Sequence, residues 1–195
     1  IMWSDVNSDS WCNLPNYIRY GYSQRHPIFK ELASDDKIIT YHKAIDGYAA
    51  SDFSFLAAKL NLGSHQRLIG VGRNSKVLLD ILLTANPNLQ AVLLGEDYDL
   101  KYTNIDPNLT ERYSLQKHNI LQSWPQFADV IFLPRVLHIW QEFEAIKILQ
   151  FARDALLQNG KIYLLEMLLC REHPNGSLLD LNMLVESGGG LRYLS

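Results

Sequence analysis

What most limits the folds open to this chain is an alternation running through residues 67–165, where short apolar runs are separated by longer segments whose apolar residues recur every three to four positions. The runs at 67–71, 90–94, 128–133 and 161–165 are rich in Val, Ile and Leu and lack a polar face, as strands buried on both sides of a sheet do. Between them, 75–85 and 142–157 carry helical spacing. Phe143, Ile146, Leu149, Ala152 and Leu156 mark the second helix; Asn86 and Pro87 end the first, and Asn159 and Gly160 are expected to stop the second. Strands alternating with helices of about 10–15 residues predict an α/β fold: a mainly parallel sheet, helices on both faces, and ligands at the carboxyl ends of the strands. Functional residues should therefore follow Val71, Leu94, Leu133 and Leu165.

The chain before this alternation reads differently. Residues 1–23 mix Ser, Asn and Asp with Trp3, Trp11, Tyr17, Tyr20 and Tyr22 without steady periodicity, which predicts a covering loop or short helix whose aromatics are packed. From Pro27 to Leu60 the apolar spacing is helical, with breaks expected near Asp35 and Ser51. At roughly 150 residues per domain, the 195 residues divide into a covering segment with linker helices over 1–62 and a core over 63–195.

Eighteen Lys and Arg against 21 Asp and Glu leave a net charge of −3, so a phosphate-neutralising nucleic-acid surface is not expected. No apolar run approaches the roughly 18 residues of a membrane span, and no signal-peptide pattern opens the sequence. Cys12 and Cys170 are too few and too distant for a disulfide framework or thiolate metal site, which fits a cytoplasmic protein. His26, His42, His65, His118 and His173 show no ligand spacing, so no metal is expected.

Four strand ends carry candidate chemistry. After 67–71 the turn reads Gly70-Val71-Gly72-Arg73-Asn74-Ser75-Lys76; its glycines allow close backbone approach to a ligand ahead of a helix N-terminus. Glu96 and Asp97 follow the next run, where an acid would accept hydrogen bonds from ribose hydroxyls. His138, in Leu133-Pro134-Arg135-Val136-Leu137-His138-Ile139-Trp140, is placed for proton transfer near neutral pH. Glu166 ends the last run, and a carboxylate there requires a partner; next to His138 it would fix the imidazole tautomer.

These residues resemble a family. Val136-Leu137-His138-Ile139-Trp140-Gln141-Glu142, the stretch from Ala155 to Glu166, and Asp180-Leu181-Asn182-Met183-Leu184 followed by Gly188 and Gly189 are similar to S-adenosylmethionine-dependent O-methyltransferases of the plant caffeate and acetylserotonin type and their bacterial polyketide-tailoring relatives. The resemblance implies a Rossmann-like class I methyltransferase core preceded by linker helices. It makes His138 the general base toward a hydroxyl of a small metabolite and Glu166 its support. It also assigns Gly70, Gly72, Glu96, Asn119 and Arg135 to the cofactor and Trp140, Asn182 and Met183 to the substrate.

The sequence also departs from the family. An acid and most of the glycines are gone from the turn, whose Arg73 and Lys76 are expected to place positive charge against a cationic cofactor and weaken its binding. The ribose acid falls on Gly95, with Glu96 one place late, and the usual aspartate near the adenine falls on Asn119. Ile139 stands where an acid follows the histidine, and Leu191 where a second supporting glutamate would be, although Arg192 is kept. The chain stops just after Gly188-Gly189-Gly190, so the closing strands of the core are expected to be missing. Beside the O-methyltransferase reading stand two others. One is a methyltransferase-like domain that does not methylate: a pseudoenzyme, an assembly-line module, or an acid/base catalyst of a cyclisation or elimination. The other is a dinucleotide site in which Arg73 and Lys76 favour a pyrophosphate or 2′-phosphate. No oligomeric state is implied, and membership of a larger chain or assembly stays open.

Overall fold

The computed structural model describes residues 11–20, 35–63, 66–124, 127–169 and 175–187. In chain order its elements are α1 (Leu14–Tyr20), α2 (Asp35–Phe53), α3 (Leu56–Lys59), β1 (Arg67–Val71), α4 (Asn74–Ala85), β2 (Gln90–Gly95), α5 (Asp97–Leu100), β3 (Tyr113–Lys117), β4 (Ala128–Pro134), α6 (Glu142–Ala155), β5 (Leu156–Leu165) and α7 (Asn175–Ser187). Short 3₁₀ turns lie at Pro107–Leu109 and Leu137–Ile139. The described residues fall into two compact units. One takes in those up to Tyr41, Arg135–Ala145 and those from Glu166 onward; the other takes in His42–Pro134 and Ile146–Leu165.

The second unit holds a five-stranded sheet, ordered β3-β2-β1-β4-β5, with every neighbouring pair parallel. Strand order runs one way from β1 through β2 to β3 and the other way from β4 to β5. The β1/β4 junction is therefore the switch point, outside whose carboxyl ends ligands bind in such sheets. β1 and β4 are almost wholly buried, which is why they read as continuous apolar runs. Leu78, Leu79, Leu82 and Leu83 of α4 recur on one helical face and are fully buried with Leu68, Leu93 and Phe132 of the sheet. Asn86 closes α4, its backbone and side-chain N–H groups both donating to the Leu82 carbonyl at 3.0 and 3.1 Å. Arg112 donates to the Leu83 carbonyl of that helix end and to the carbonyls of Asn86 and Leu89 in the turn beyond it.

Three expectations are corrected. First, the sequence located no strand between Leu94 and Ala128, yet β3 pairs with β2 there, with Ala91 opposite Tyr113. Second, the helix expected over 142–157 ends at Ala155, and β5 begins at Leu156, paired with Ala128. Asn159 and Gly160 do not stop a helix. They lie in a register shift of β5, where Asn159 takes φ 66°, a left-handed conformation that Asn tolerates. A Cβ on Gly160 would lie 2.9 Å from the Leu157 carbonyl oxygen, so only glycine fits the bulge. Third, the break expected near Ser51 is displaced, since Ser51 is helical and α2 continues to Phe53.

In the first unit, α1 carries no buried residue: Tyr20 and, ahead of the helix, Trp11 are exposed and Tyr17 is half-buried, contrary to the packed aromatics expected of this segment. α7 packs on the 3₁₀ turn at Leu137–Ile139. Trp3, Tyr22, Pro125, Cys170, Gly188, Gly189, Gly190, Leu191, Arg192, His26, His65 and His173 lie outside the described residues. Among the described residues no helix is long and apolar enough to cross a membrane, and no group of three His, Cys, Asp or Glu side chains could hold a metal ion.

Candidate active site

The chain leaves β4 through Arg135, whose φ of 55° is unusual for a residue with a side chain, and enters the 3₁₀ turn at Leu137–Ile139. That turn presents His138. Its Nδ1 lies 2.6 Å from Glu166 Oε2, and the Leu137 N–H donates to Glu166 Oε1 at 2.7 Å. Both side chains are about nine-tenths buried, at 12% and 10% exposed. One carboxylate thus holds the histidine ring and the backbone beside it. Because an ionised carboxylate only accepts, Nδ1 must carry the proton, which leaves the lone pair of the neutral ring on Nε2. The pairing anticipated between His138 and Glu166 is present. Trp140 and Met183 are buried, Asn182 is half-buried, and the Trp140 N–H closes the turn on the Leu137 carbonyl at 3.1 Å.

In the other unit, the turn after β1 is built as a cradle. Gly72 adopts φ 72°, and its N–H donates to the Leu94 carbonyl at 2.8 Å, tying the turn to the end of β2. Gly70 serves packing: a Cβ there would lie 2.6 Å from Ser75 Cβ and 2.8 Å from Leu79 Cδ1. Ser75 is fully buried and donates to the Val71 carbonyl at 2.7 Å. Glu96 and Asp99 form a reciprocal capping box on α5, in which each side chain accepts from the other's backbone N–H. Burial raises the pKa of Glu96. Asn119 is exposed, and its side-chain oxygen accepts from the Leu121 N–H at 2.9 Å.

The charge expected at this turn is not free. Arg73 is only 8% exposed and forks onto Asp46 of α2, with Nε on Oδ1 at 3.0 Å and the terminal nitrogen on Oδ2 at 2.5 Å; its other terminal nitrogen donates to the Thr103 hydroxyl. Lys76 pairs one turn along α4 with Asp80 at 2.6 Å. Both cations are neutralised within the protein. This removes the repulsion expected against a cationic cofactor, and equally the support for a phosphate of a dinucleotide.

Sequence reasoning missed three groups of this unit. Asp46 faces Arg73. His42 is buried on the same helix, its pKa lowered to about 4 by burial and then by Arg73. Asp99, also buried, accepts from the Glu96 N–H at 3.1 Å and from the Arg73 N–H at 3.3 Å. Burial pushes its pKa up to about 7 against the pull of those two N–H groups. The signals available were a new cation needing a counter-charge and a glycine beside an acidic run.

The sequence profile of the O-methyltransferase domain family matches residues 68–195, more than half of the chain. This chain belongs to the O-methyltransferase domain family. The protein is 28% identical over 182 residues to the 2,7-dihydroxy-5-methyl-1-naphthoate 7-O-methyltransferase of Streptomyces carzinostaticus, covering 91% of this chain and 53% of the relative. To the 3-amino-4-hydroxybenzoate 4-O-methyltransferase of Streptomyces cremeus it is 29% identical over 179 residues, covering 88% of this chain and 46% of that one. Its fold matches the crystal structure of an O-methyltransferase from neocarzinostatin biosynthesis, in complex with S-adenosyl-L-homocysteine and 1,4-dihydroxy-2-naphthoic acid. There the TM-score is 0.84 at 25% identity, over 99% of this chain and 63% of that chain. The chain thus spans about half the length of the curated relatives it matches.

Proposed function

We propose that this chain works as an S-adenosyl-L-methionine-dependent O-methyltransferase acting on a hydroxyl of a small aromatic metabolite. The observation that carries the reading is the buried His138–Glu166 pair, which leaves His138 Nε2 as a proton acceptor. Hydroxylated aromatic acids, the class named for the relatives in Streptomyces, are the acceptors to try first. Residues 63–195 would form the catalytic core, with 1–62 as the segment preceding it.

The cofactor fits the residues present. Gly72 gives a turn of left-handed backbone with no side chain, α4 starts without a side-chain cap, and Arg73 and Lys76 carry no free charge. Gly70, Gly72, Glu96 and Asn119 would hold it, and S-adenosyl-L-methionine, when bound, supplies the electrophilic methyl group. What the chain itself does is move a proton and hold a geometry. His138 Nε2 takes the hydroxyl proton of the acceptor, freeing the oxygen's electron pair, while Glu166 stabilises the imidazolium that forms. Trp140, Asn182 and Met183 would line the acceptor. Because methyl transfer from the cationic sulfonium to the deprotonated oxygen would neutralise charge, alignment in a dry pocket would supply most of the acceleration.

Calorimetry with S-adenosyl-L-methionine and S-adenosyl-L-homocysteine tests the reading, followed by transfer of a labelled methyl group to 1,4-dihydroxy-2-naphthoic acid. His138→Ala should lower transfer by about 10²–10⁴-fold with the cofactor's affinity unchanged. No heat of binding at concentrations up to about 1 mM, a free energy of only ~4 kcal/mol, would overturn it.

A further inference from the structure

We propose that Asp99 is a positioning residue of this cofactor cradle: a single buried carboxylate that holds the turn after β1 and the turn after β2 at a fixed spacing by accepting one backbone N–H from each. The inference rests on the reading above, and three observations carry it. The Arg73 N–H donates to Asp99 Oδ1 across 26 residues of sequence, and the Glu96 N–H donates to Asp99 Oδ2. The same two turns are joined on the strand side by the Gly72 N–H and the Leu94 carbonyl, so Asp99 completes a two-point tie. And Gly95 makes room for it. A Cβ at position 95 would lie 2.8 Å from Asp99 Cβ and 3.2 Å from Asp99 Oδ2, so this carboxylate fills the volume that a side chain at position 95 would take. A strand-end acid and Asp99 are thus mutually exclusive here, and the carboxylate reaches that place from one helical turn later.

The tie depends on protonation. A carboxylate has a full acceptor for each N–H. The protonated acid keeps one good acceptor, its carbonyl oxygen, and its hydroxyl oxygen accepts weakly. Ionisation is costly to overall stability because the group is buried, yet it is the state that satisfies both turns. The groups facing Asp99 are Glu96 on its own turn and Arg73 on the glycine turn, whose charge Asp46 of α2 neutralises. Behind these, Lys117 and His118 at the end of β3 act on Glu96, and His42 of α2 acts with Arg73 and Asp46. His42 titrates well below neutrality and the Arg73 charge is constant, while burial brings the pKa of Asp99 itself up to about 7.

The test is the affinity for S-adenosyl-L-homocysteine by calorimetry between pH 6 and 8, with the pH-dependent exchange protection of the Arg73 and Glu96 amides followed by NMR in parallel. Loss of one hydrogen bond to a charged acceptor is roughly a tenfold effect. Wild-type affinity should rise about tenfold from pH 6 to 8, and Asp99→Asn, which has one acceptor at every pH, should be flat at the wild-type low-pH value. A flat wild-type profile, or the same slope in Asp99→Asn, overturns the proposal. Absence of binding at every pH would instead sink the functional reading. The amides then decide: protection that rises with pH in wild type and not in Asp99→Asn supports the tie, and protection equal in both overturns it. If Asp99→Asn does not fold, wild type alone suffices. The Asp99 carboxyl carbon and the Arg73 and Glu96 amides must titrate with one common midpoint, and separate midpoints overturn the tie.

Discussion

Glu166→Gln separates orientation of the base from every other role of this region. In the native pair Oε2 accepts from His138 Nδ1–H at 2.6 Å and Oε1 from the Leu137 N–H at 2.7 Å, two donors on two acceptors. Glutamine has one acceptor and one donor end of the same size. If its oxygen stays on Leu137, its NH₂ faces Nδ1; the ring must then move its proton to Nε2, and the base loses the lone pair it works with. If the oxygen turns to Nδ1, two N–H groups meet at Leu137. Either way one charge-assisted hydrogen bond, worth about 1.5–3 kcal/mol, is lost where positive charge builds up on the ring. At 1.4 kcal/mol per decade, kcat should fall roughly 10- to 150-fold. Initial rates of labelled methyl transfer to 1,4-dihydroxy-2-naphthoic acid measure this, with calorimetry of S-adenosyl-L-homocysteine expected to show unchanged affinity. A kcat within twofold of wild type, with cofactor affinity intact, would refute the role given to Glu166.

Asp46→Ala leaves the Arg73 guanidinium buried without its counter-charge, so it should cost about 3 kcal/mol, a drop in Tm of roughly 6–12 °C. Arg73→Met strands only Asp46, which water reaches at 27% exposure, and should cost clearly less in the same melts; the reverse order would contradict the burial argument. His42 and Asp99 give opposite pH dependences. His42 has a folded pKa near 4 against 6.5, so its contribution is present above 6.5 and lost as pH falls toward 4; Asp99 has a folded pKa near 7 against 3.8, so its contribution is present below 3.8 and lost as pH rises through 7. The two offset each other between about pH 4 and 6.5. In chemical denaturation, His42→Gln should make stability fall with rising pH across that window by up to about 1.4 kcal/mol per unit, and Asp99→Asn should make it rise. Gly70→Ala, which drives a Cβ to 2.6 Å from Ser75 Cβ, should destabilise by about 1–3 kcal/mol in the same assay.

The sequence could be read where residues are buried on both faces. β1, β2 and β4 announce themselves because their polar residues, Arg67, Gln90 and Asp129, stand at the strand starts and the rest of each run is apolar or glycine, and α4 because four leucines recur on one face. β3 escaped because only Tyr113 and Leu115 are apolar in an edge strand whose pairing comes from β2. The start of β5 escaped because Leu156 is fixed by Ala128, a partner distant in sequence, and not by local preference for helix. The same division holds for the site. His138 and Glu166 stand just beyond strand runs that are visible in the sequence, so their meeting could be anticipated. Asp46 and Asp99 could not. Asp99 sits in Gly95-Glu96-Asp97-Tyr98-Asp99, which looks like a solvated acidic loop, and its burial depends on a missing Cβ at Gly95 and on an amide contributed by Arg73.

Read residue by residue, the glycine turn looks eroded: an arginine for one glycine, a lysine for another, a glycine where an acid belongs. In three dimensions both new cations of this turn, and the glycine that ends β2, have a partner. Arg73 meets Asp46, Lys76 meets Asp80, and Gly95 admits Asp99. A buried cation left alone at such a place would be disfavoured by several kcal/mol, so the substitutions are tolerable only as pairs. The pairing also sets the sign of the field. With both cations side by side with their acids, the acidic groups left at these two turns are Glu96 and, once pH exceeds about 7, Asp99, and the charge they can add is negative. A sulfonium cofactor approaching the turn would therefore meet attraction, and the feature that reads in one dimension as a barrier to S-adenosyl-L-methionine becomes in the folded chain compatible with it.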